Sequence, residues 1–410
     1  MAVTANDRIV KSGTVPMMQY GSLLKFFAVR LCIAVTLGVI LLAMVELYSY
    51  ERYRHDRHAD VMEPAVKVDL AESGNVEDRE YWKEFDQSDK VVYKQYVLWR
   101  KASYQGKLIS INSDGVRQTL HTQCSGKNKT IWIFGDSVTW GFGAPDAGTI
   151  PSLIAEDYEK AGTPACIVNY GEKGWFNTQE MIALIELLKH AEQKPDIVLF
   201  YDGGSEAFTA YQSGQADTHS NFRSFKNFLE NWSNKHQAGF AYLRETNTYH
   251  LLQKIAAKAP FHSEPSEKPK GLSNAGTLSG EVIENYVQNM DLINLLAKQY
   301  GFRAIFAWYP NLAVGQKRLT PYEQQVLRFT DEEFPGLQSL YQEVYRRSAE
   351  VKRPNFYNLA DTVDDQKDSL YLGISHMKPK GNQIMADRLF DLLESKDSPG
   401  SSDVVTSVGK

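Results

Sequence analysis

The sequence predicts an α/β fold in which a parallel sheet is covered on both faces by helices, preceded by one membrane-spanning helix. From residue 131 onward, short runs of β-favouring apolar residues alternate with segments of helical periodicity. Strands separated by helices of this length are typical of parallel sheets, because a parallel connection has to cross the sheet. A separate stretch from Phe26 to Val45 is apolar except for Arg30 and Thr36, and it is long enough to span a bilayer.

Composition limits the classes of protein to which the chain can belong. With 410 residues, 43% of them hydrophobic, the chain can bury the core of one domain of roughly 250–300 residues plus attachments. The net charge of −5 means that the chain has no excess of basic residues, so no nucleic-acid partner is expected. The three cysteines have no zinc-ligand spacing, and neither a metal nor another cofactor is expected. Cys124 and Cys166 flank neighbouring predicted strands, which leaves a disulfide and two unpaired core thiols equally open.

The apolar stretch is interpreted as an uncleaved anchor, a transmembrane helix over residues 26–48. A cleaved signal peptide is the competing interpretation. It is disfavoured by the polar lead of about 25 residues and by the sequence Glu46-Leu47-Tyr48, which offers no small-x-small cleavage site. Basic residues flank both ends in similar number, so the bias that sets orientation is slight. We favour residues 1–25 in the cytoplasm and the main domain on the extracytoplasmic, periplasmic side.

The remaining chain divides into regions of different character. Residues 49–115 are predicted to form a stalk and an ornament, residues 116–394 the α/β domain with an insertion at 207–275, and residues 395–410 a disordered tail. The predicted strands of the main sheet are 131–134, 165–168, 197–201, 304–308 and 356–359. Predicted helices begin near Ile150 and at an Asn177 or Thr178 cap, and others cover 280–300, 336–351 and 381–393.

The tripeptide Gly135-Asp136-Ser137 follows the first of these strands. Open α/β sheets build their sites beyond the carboxyl ends of the strands, and the nearby glycines at 135, 141 and 143 leave the backbone accessible to a ligand. The α/β-hydrolase elbow G-x-S-x-G is absent, because Thr139 stands at its second glycine. A turn or cap role for Ser137 is the alternative to a role as nucleophile.

Later strand ends offer the other groups that serine acyl transfer requires, which are a base and donors for the oxyanion. His376 precedes the last helix and is the candidate base. The candidate oxyanion donors are the backbone N–H groups of Ser137 and Gly174 and the side chain of Ser205.

Taken in order, these motifs resemble those of the SGNH (GDSL-like) hydrolase family. The matching blocks are G-D-S at 135–137, N-x-G-x-x-G at 169–174, D-G-G-S-E at 202–206 and S-H-x-x-P-x-G-N at 375–382. The resemblance covers roughly Ile131 to Leu393 and is strongest to membrane-anchored bacterial members associated with envelope polysaccharides. It implies a flavodoxin-like three-layer αβα sandwich and a Ser–His esterase or acyltransferase centre. Ser137 would be the nucleophile, Gly174 an oxyanion donor and His376 the base.

Two positions depart from the family pattern. Ser205 stands where the family usually has an oxyanion-binding asparagine, and Gly373 stands where it usually has the aspartate that orients the histidine. Asp368 is the candidate to replace that aspartate, with Asp365 or a backbone carbonyl as alternatives.

The predicted function is that of a membrane-anchored serine esterase or O-acyltransferase acting on O-acetyl groups of an envelope or extracellular polysaccharide. Trp140, Trp175 and Tyr211 are the candidates to stack on sugar rings. The expected partners are therefore a polysaccharide or other acylated substrate, the membrane, and other envelope polysaccharide proteins. Two alternatives remain open: a catalytically silent glycan-binding or assembly subunit, motivated by Ser205 and Gly373, and a thioesterase or lipase acting on lipid acyl chains.

Overall fold

The computed structural model describes residues 18–61, 76–232, 246, 248–249 and 275–395. These residues fall into two units, described separately below, with most of the first helix in one and the α/β domain in the other. The predicted cytoplasmic segment 1–25 lies outside this description up to residue 17, and the predicted disordered tail lies outside it from residue 396. Most of the predicted insertion also lies outside it.

The first unit contains residues 18–57 of helix α1, Met18–Val61, which is 44 residues long. Within its segment Lys25–Tyr50, an 18-residue window has a mean hydropathy of 2.5, and the segment is long enough to cross a membrane. The apolar side chains of this segment are exposed around the whole helix, a distribution that suits contact with lipid and not with a protein core. The membrane anchor and its orientation remain predictions.

Residues 76–111 form a helix and two short hairpins of the second unit. The elements are α2 Val76–Ser88, β1 Val91–Lys94, β2 Leu98–Lys101, β3 Tyr104–Gln105 and β4 Ser110–Ile111. Tyr81, Trp82 and Phe85 of α2 are buried in one hydrophobic cluster with Phe142 of the α/β domain. The prediction of a stalk is therefore wrong for this helix, because its aromatic face packs against the domain.

The main sheet has five parallel strands in the order β6-β5-β7-β8-β9. Their bounds are β5 Thr130–Gly135, β6 Cys166–Asn169, β7 Ile197–Asp202, β8 Arg303–Trp308 and β9 Phe356–Asn358. Starting from the first strand of the sheet, this is the flavodoxin-like order, in which the chain moves to one side of β5 and then continues on the other. The predicted fold class is confirmed by this topology.

Helices form a layer on each face of the sheet. In chain order they are α3 Ser137–Trp140, α4 Ile150–Lys160, α5 Asn177–His190, α6 Gly204–Ser213, α7 Phe222–Trp232, α8 Ala275–Tyr300, α9 Pro321–Glu333, α10 Leu337–Ser348 and α11 Pro379–Glu394. Helices α4 and α11 pack against each other, whereas α5, α6 and α10 pack around α8. The two groups complete the three-layer αβα arrangement.

Aromatic stacking sets the level at which the central strands end. The rings of Phe134, Phe200 and Phe306 stack across β5, β7 and β8 with centroid separations of 5.3 and 5.2 Å. These residues are also register partners in the sheet. Cross-strand aromatic pairs favour one register over its alternatives, so the loops that follow the three strands emerge side by side.

Local predictions failed where a side chain has a tertiary partner. Helix α5 begins at Asn177 with Phe176 as its cap residue, so neither Asn177 nor Thr178 caps it. The side-chain nitrogen Nδ2 of Asn177 instead donates to the buried carboxylate of Asp202, at 3.2 Å. Helices α7 and α9 occupy segments for which no helix was predicted.

The open question about the cysteines is resolved in favour of a disulfide between Cys124 and Cys166, with a Cα–Cα distance of 4.4 Å. Cys166 is the first residue of β6, and the backbone N–H of Gln123 donates to the carbonyl of Ala165 at 2.9 Å. The bond therefore ties the segment that leads into β5 to the neighbouring strand.

Replacing both Cys124 and Cys166 by alanine is expected to lower the free energy of unfolding by about 2–4 kcal/mol, because the bond closes a loop across 42 residues. Denaturant unfolding of the full-length protein in detergent measures the effect. Cys32→Ala is the matched control, since Cys32 is a free thiol in α1. Equal unfolding curves for the double variant and the control would contradict the structural role.

Candidate active site

Ser137 lies at the carboxyl edge of the sheet, directly beyond β5. Gly135 ends the strand with φ 153°, and a Cβ at this position would collide with the Tyr201 carbonyl oxygen and the Thr139 hydroxyl. Asp136 caps the following turn of helix by accepting from the Val138 N–H at 2.8 Å. This tight passage from strand to helix leaves Ser137 partly exposed among buried neighbours.

The structure brings His376 to Ser137 across 239 residues of chain. The distance between Ser137 Oγ and His376 Nε2 is 2.9 Å. The loop that carries the imidazole is fixed by a hydrogen bond from the Leu312 N–H to the Ile374 carbonyl, at 2.8 Å. The two predicted groups therefore meet within hydrogen-bonding distance at the edge of the sheet.

The second ring nitrogen of His376 lacks the acid that was predicted for it. Its Nδ1 is buried and has no hydrogen-bond partner in the part of the chain that the structure describes. Asp368 is exposed and forms an ion pair with Lys380. The prediction that Asp368 orients the imidazole is therefore wrong. Neither Asp365 nor a backbone carbonyl among the described residues takes its place.

The environment of His376 disfavours its protonated form. Burial, reinforced by the nearby Lys173 ammonium, lowers the pKa of the His376 imidazole to about 3. Lys173 is itself held by Asp89, with 2.9 Å between Nζ and Oδ2. The imidazole is consequently a neutral acceptor over most of the pH range, which is the state that a general base requires.

Asp136 connects the loops that follow three strands of the sheet. Its carboxylate accepts from the Ser205 hydroxyl at 2.6 Å and from the Tyr309 hydroxyl, in addition to the Val138 N–H. Burial raises the pKa of Asp136, and these hydrogen bonds oppose the rise. The hydroxyl proton of Ser205 is directed to Asp136, so the prediction that this side chain serves as an oxyanion donor is not supported by the geometry.

Gly174 lies in the loop that follows β6, with φ 77°, a conformation that favours glycine. Strand β2 holds this loop: Trp99 Nε1 donates to the Lys173 carbonyl at 3.1 Å, and the Lys101 N–H donates to Glu172 Oε2 at 2.9 Å. Among the described residues, the backbone N–H groups of Ser137 and Gly174 donate to no other group of the chain. Both remain available to a ligand.

The three aromatic residues predicted to stack on sugar rings are buried, so this prediction is wrong. Trp140 and Trp175 are fully buried, and Tyr211 is 3% exposed. The Arg117 guanidinium covers the Trp140 ring at 4.3 Å, and Trp175 Nε1 donates to the Trp99 carbonyl at 3.2 Å. Large aromatic side chains bury the most apolar area per residue, and here they fill the space beneath the loops.

Sequence reasoning missed Phe142 and Lys173 as components of the site. The Phe142 ring centroid lies 4.4 Å from that of His376. The Lys173 Nζ lies 5.9 Å from the Phe142 ring and acts on the charge of the imidazole. Two features of the sequence could have pointed to these contacts. Phe142 lies between Gly141 and Gly143, close to Ser137. Tyr81 and Phe85 have the i, i+4 spacing that places two side chains on one face of a helix.

A group of buried carboxyls lies behind the site, formed by Glu180, Asp202 and Glu206. Burial raises the pKa of Asp202 to about 7. Burial, together with the neighbouring Asp202 charge, raises the pKa values of Glu180 and Glu206 well above the ordinary glutamate range. Tyr286 donates to Asp202 Oδ2 at 2.8 Å, and the Gly203 N–H donates to Glu206 Oε2 at 3.0 Å. Protons on some of these acids keep like charges from repelling one another in the interior.

Fold and site together define an α/β/α protein with a serine–histidine pair at the carboxyl edge of a parallel sheet. The chain is similar in structure to lipolytic proteins of the G-D-S-L family and to esterases. A member of the lipolytic protein G-D-S-L family from Veillonella parvula has 14% sequence identity and a TM-score of 0.32, over 65% of this chain and 97% of that chain. The acetyl xylan esterase AlAXEase has 10% identity and a TM-score of 0.30, over 64% and 99% of the two chains.

TesA has 13% identity and a TM-score of 0.34, over 65% of this chain and 98% of that chain. No family model matches the chain, and no curated protein matches it. The fold is accordingly defined by the order and direction of its own strands, and the chemistry of the site by its own residues.

The buried acids are expected to make the protein less stable as the pH rises from about 4 to about 7. In this window the native state keeps protons that the unfolded state has released, so each group contributes a falling slope of up to about 1.4 kcal/mol per pH unit. Denaturant unfolding of the full-length protein at several pH values measures the slope, and Asp202→Asn should flatten it. Glu332→Gln, an exposed acid on α9, is the control. A slope that is the same in Asp202→Asn as in the wild type would contradict the assignment.

Proposed function

We propose that the chain is a membrane-anchored serine esterase or O-acyltransferase that acts on O-acetyl groups of a polysaccharide outside the cytoplasm. The observation that carries the proposal is the 2.9 Å separation between Ser137 Oγ and His376 Nε2 at the carboxyl edge of the sheet. A hydroxyl paired with a neutral imidazole is the arrangement that nucleophilic acyl transfer needs. The resemblance of the ordered sequence motifs to SGNH hydrolases supports the same reaction class.

In the first half-reaction, Ser137 Oγ attacks the carbonyl carbon of the acetyl ester while its proton passes to His376 Nε2. The carbonyl oxygen becomes an oxyanion and accepts hydrogen bonds from the backbone N–H groups of Ser137 and Gly174. The tetrahedral intermediate then collapses, the bond to the sugar oxygen breaks, and His376 returns the proton to the departing alcohol. The acetyl group is left on Ser137.

In the second half-reaction, His376 removes a proton from the incoming acceptor, which then attacks the acetyl carbon. Water as the acceptor releases acetate and makes the chain an esterase. A sugar hydroxyl as the acceptor makes it an O-acyltransferase. Both routes use Ser137 and His376 in the same way. The two activities therefore differ in which acceptor reaches the acetyl group, whereas the geometry of the two side chains is the same in both.

Two features support an extracytoplasmic location for the domain. The Cys124–Cys166 disulfide is typical of proteins that fold in an oxidising compartment. The apolar segment Lys25–Tyr50 of α1 is long enough to hold the chain at a membrane.

Tyr93 and Tyr96 replace the buried aromatic residues as candidates for contact with sugar rings. They are 74% and 59% exposed on the hairpin formed by β1 and β2. Tyr93 is the cross-strand partner of Trp99, whose indole donates to the Lys173 carbonyl beside Gly174. The hairpin therefore contacts the loop that carries a proposed oxyanion donor through Trp99, and it exposes Tyr93 and Tyr96 to solvent.

A second candidate function is that of a glycan-binding or assembly subunit with impaired catalysis. It is favoured by the commitment of the Ser205 hydroxyl to Asp136 and by the absence of a partner for His376 Nδ1 among the described residues. Loss of one oxyanion donor can lower a rate by roughly 10²–10³-fold. An imidazole in the wrong tautomer can lower it by about 10⁴-fold.

Wild-type protein is expected to be labelled covalently by a fluorophosphonate probe and to hydrolyse p-nitrophenyl acetate, whereas Ser137→Ala should do neither. The physical reason is that Ser137 combines a partly exposed hydroxyl with an imidazole nitrogen at hydrogen-bonding distance. Mass spectrometry of the labelled peptide identifies the modified residue, and Ser213→Ala, in α6, is the matched control. Intact glycan binding without any labelling of the wild type would instead favour the impaired subunit.

Tyr93→Ala and Tyr96→Ala are expected to raise KM for an acetylated polysaccharide by roughly fivefold each, since one aromatic contact contributes about 1 kcal/mol. Their kcat/KM for p-nitrophenyl acetate should be unchanged, because this small ester does not extend to the hairpin. Tyr300→Ala, at the carboxyl end of α8 and close to the amino end of β8, is the control. Unaltered KM values for the polysaccharide would rule out the hairpin as a substrate contact.

A further inference from the structure

The imidazole of His376 needs a source of orientation other than a carboxylate. Residue 373, at which the family pattern has its aspartate, is a glycine, and Asp368 is paired with Lys380 at the surface. With Nδ1 unpartnered among the described residues, the hydrogen bond between Nε2 and Ser137 does not by itself fix the plane of the ring. A ring held by its Cβ–Cγ bond and by one hydrogen bond at Nε2 can still turn about the Cβ–Cγ axis, which would spoil proton transfer.

Phe142 packs against the ring of His376. The two ring centroids are 4.4 Å apart and the ring planes are tilted by 39°. Phe142 is 7% exposed, so it has little room to move away. An aromatic ring in this position limits rotation of the imidazole through van der Waals contact alone.

Phe142 is in turn held by helix α2. Its ring lies 5.3 Å from Trp82 and 5.1 Å from Phe85, both in edge-to-face contacts. The backbone next to it is also fixed, because the Gly143 N–H donates to the Tyr81 hydroxyl at 2.9 Å. We call Tyr81, Trp82, Phe85 and Phe142 the aromatic cradle. Three of its four members precede the first strand of the sheet by more than forty residues of sequence.

The same part of the chain also sets the charge near the imidazole. Asp89, directly beyond α2, binds Lys173 with 2.9 Å between Oδ2 and Nζ. This ammonium lies 5.0 Å from the Phe85 ring, within the cation–π range. Lys173 is thereby kept at a fixed place beside the cradle, where it opposes protonation of His376.

We propose that Phe142 is a positioning residue for His376, and that α2 belongs to the active site because it holds Phe142 against the imidazole. The packed aromatic cradle does the orienting work that a hydrogen-bonded carboxylate does elsewhere. The face of Phe142 also offers the transient imidazolium a weak cation–π contact when Nε2 takes the Ser137 proton. The inference rests on the proposed chemistry of Ser137 and His376.

The test compares Phe142→Leu and Phe142→Ala with wild type on p-nitrophenyl acetate, using the full-length protein in detergent. Phe142→Leu keeps the apolar wall but removes the ring, so kcat should fall by roughly 10²-fold with little change in KM. The acid limb of its pH–rate profile should stay at low pH. Phe142→Ala also admits water to the imidazole, so that limb should in addition move upward towards the ordinary histidine range, about pH 6.5.

Phe390→Leu is the matched control. Phe390 makes an edge-to-face contact with Tyr158 at 4.9 Å, and the Tyr158 hydroxyl donates to Glu394, the ion-pair partner of Lys129. Lys129 precedes β5, so this contact lies at the opposite end of the strand from Ser137. The substitution measures what loss of a partly buried ring does to stability alone, and its pH–rate profile should coincide with that of the wild type.

The outcomes separate this inference from the proposed function. A wild type that is neither labelled nor active would defeat the proposed chemistry, and the inference with it. An active wild type together with Phe142 variants whose kcat and acid limb match those of Phe390→Leu would overturn the inference alone. Where Phe142→Ala does not fold, as judged by circular dichroism, the kcat of Phe142→Leu decides the question.

Discussion

The buried carboxylate of Asp136 is the contact on which the geometry of the edge depends. One oxygen accepts from the Val138 N–H and fixes the turn that carries Ser137, and the other accepts from Ser205 beyond β7 and Tyr309 beyond β8. A carboxylate that accepts several hydrogen bonds is far more stable in the interior than an unpaired one. The three loops are therefore connected through a single side chain. The stacked rings of Phe134, Phe200 and Phe306 fix the register of the three strands, so the loops begin side by side.

The two departures from the SGNH pattern have different physical consequences. Ser205 remains a donor, but it donates to Asp136, so the hydroxyl stabilises the loop that bears Ser137 and is not free to bind an oxyanion. Gly373 removes a hydrogen-bonding acid, and the aromatic cradle supplies steric contact in its place. Steric contact restricts orientation without stabilising an imidazolium as strongly as a carboxylate would. The imidazole in such a site is held in place and stays neutral, but it is only weakly basic.

Elements with a strong local pattern could be predicted from the sequence, and elements defined by tertiary partners could not. The run from Ile131 to Phe134 is apolar and β-favouring, so its strand was evident, and the position of Ser137 and His376 at strand ends followed from the alternation of strands and helices. The burial of Trp140 could not be predicted, because the sequence does not distinguish a tryptophan that lines a site from one that packs beneath it. The partner of His376 Nδ1 depends on loop conformation, which local propensity does not specify.

The arrangement of α2 changes where the functional domain begins. By sequence the domain was predicted to start at residue 116, yet Trp82 and Phe85 pack on Phe142, and Asp89 holds Lys173. A chain lacking the region before residue 116 would leave Phe142 with one face uncovered and Lys173 without its Asp89 counter-charge. Exposed aromatic surface of that kind is unfavourable in water, and the ring would be free to leave the imidazole. The segment from α2 to the sheet thus belongs to the same structural unit as Ser137 and His376, and it packs directly on the residues that surround them.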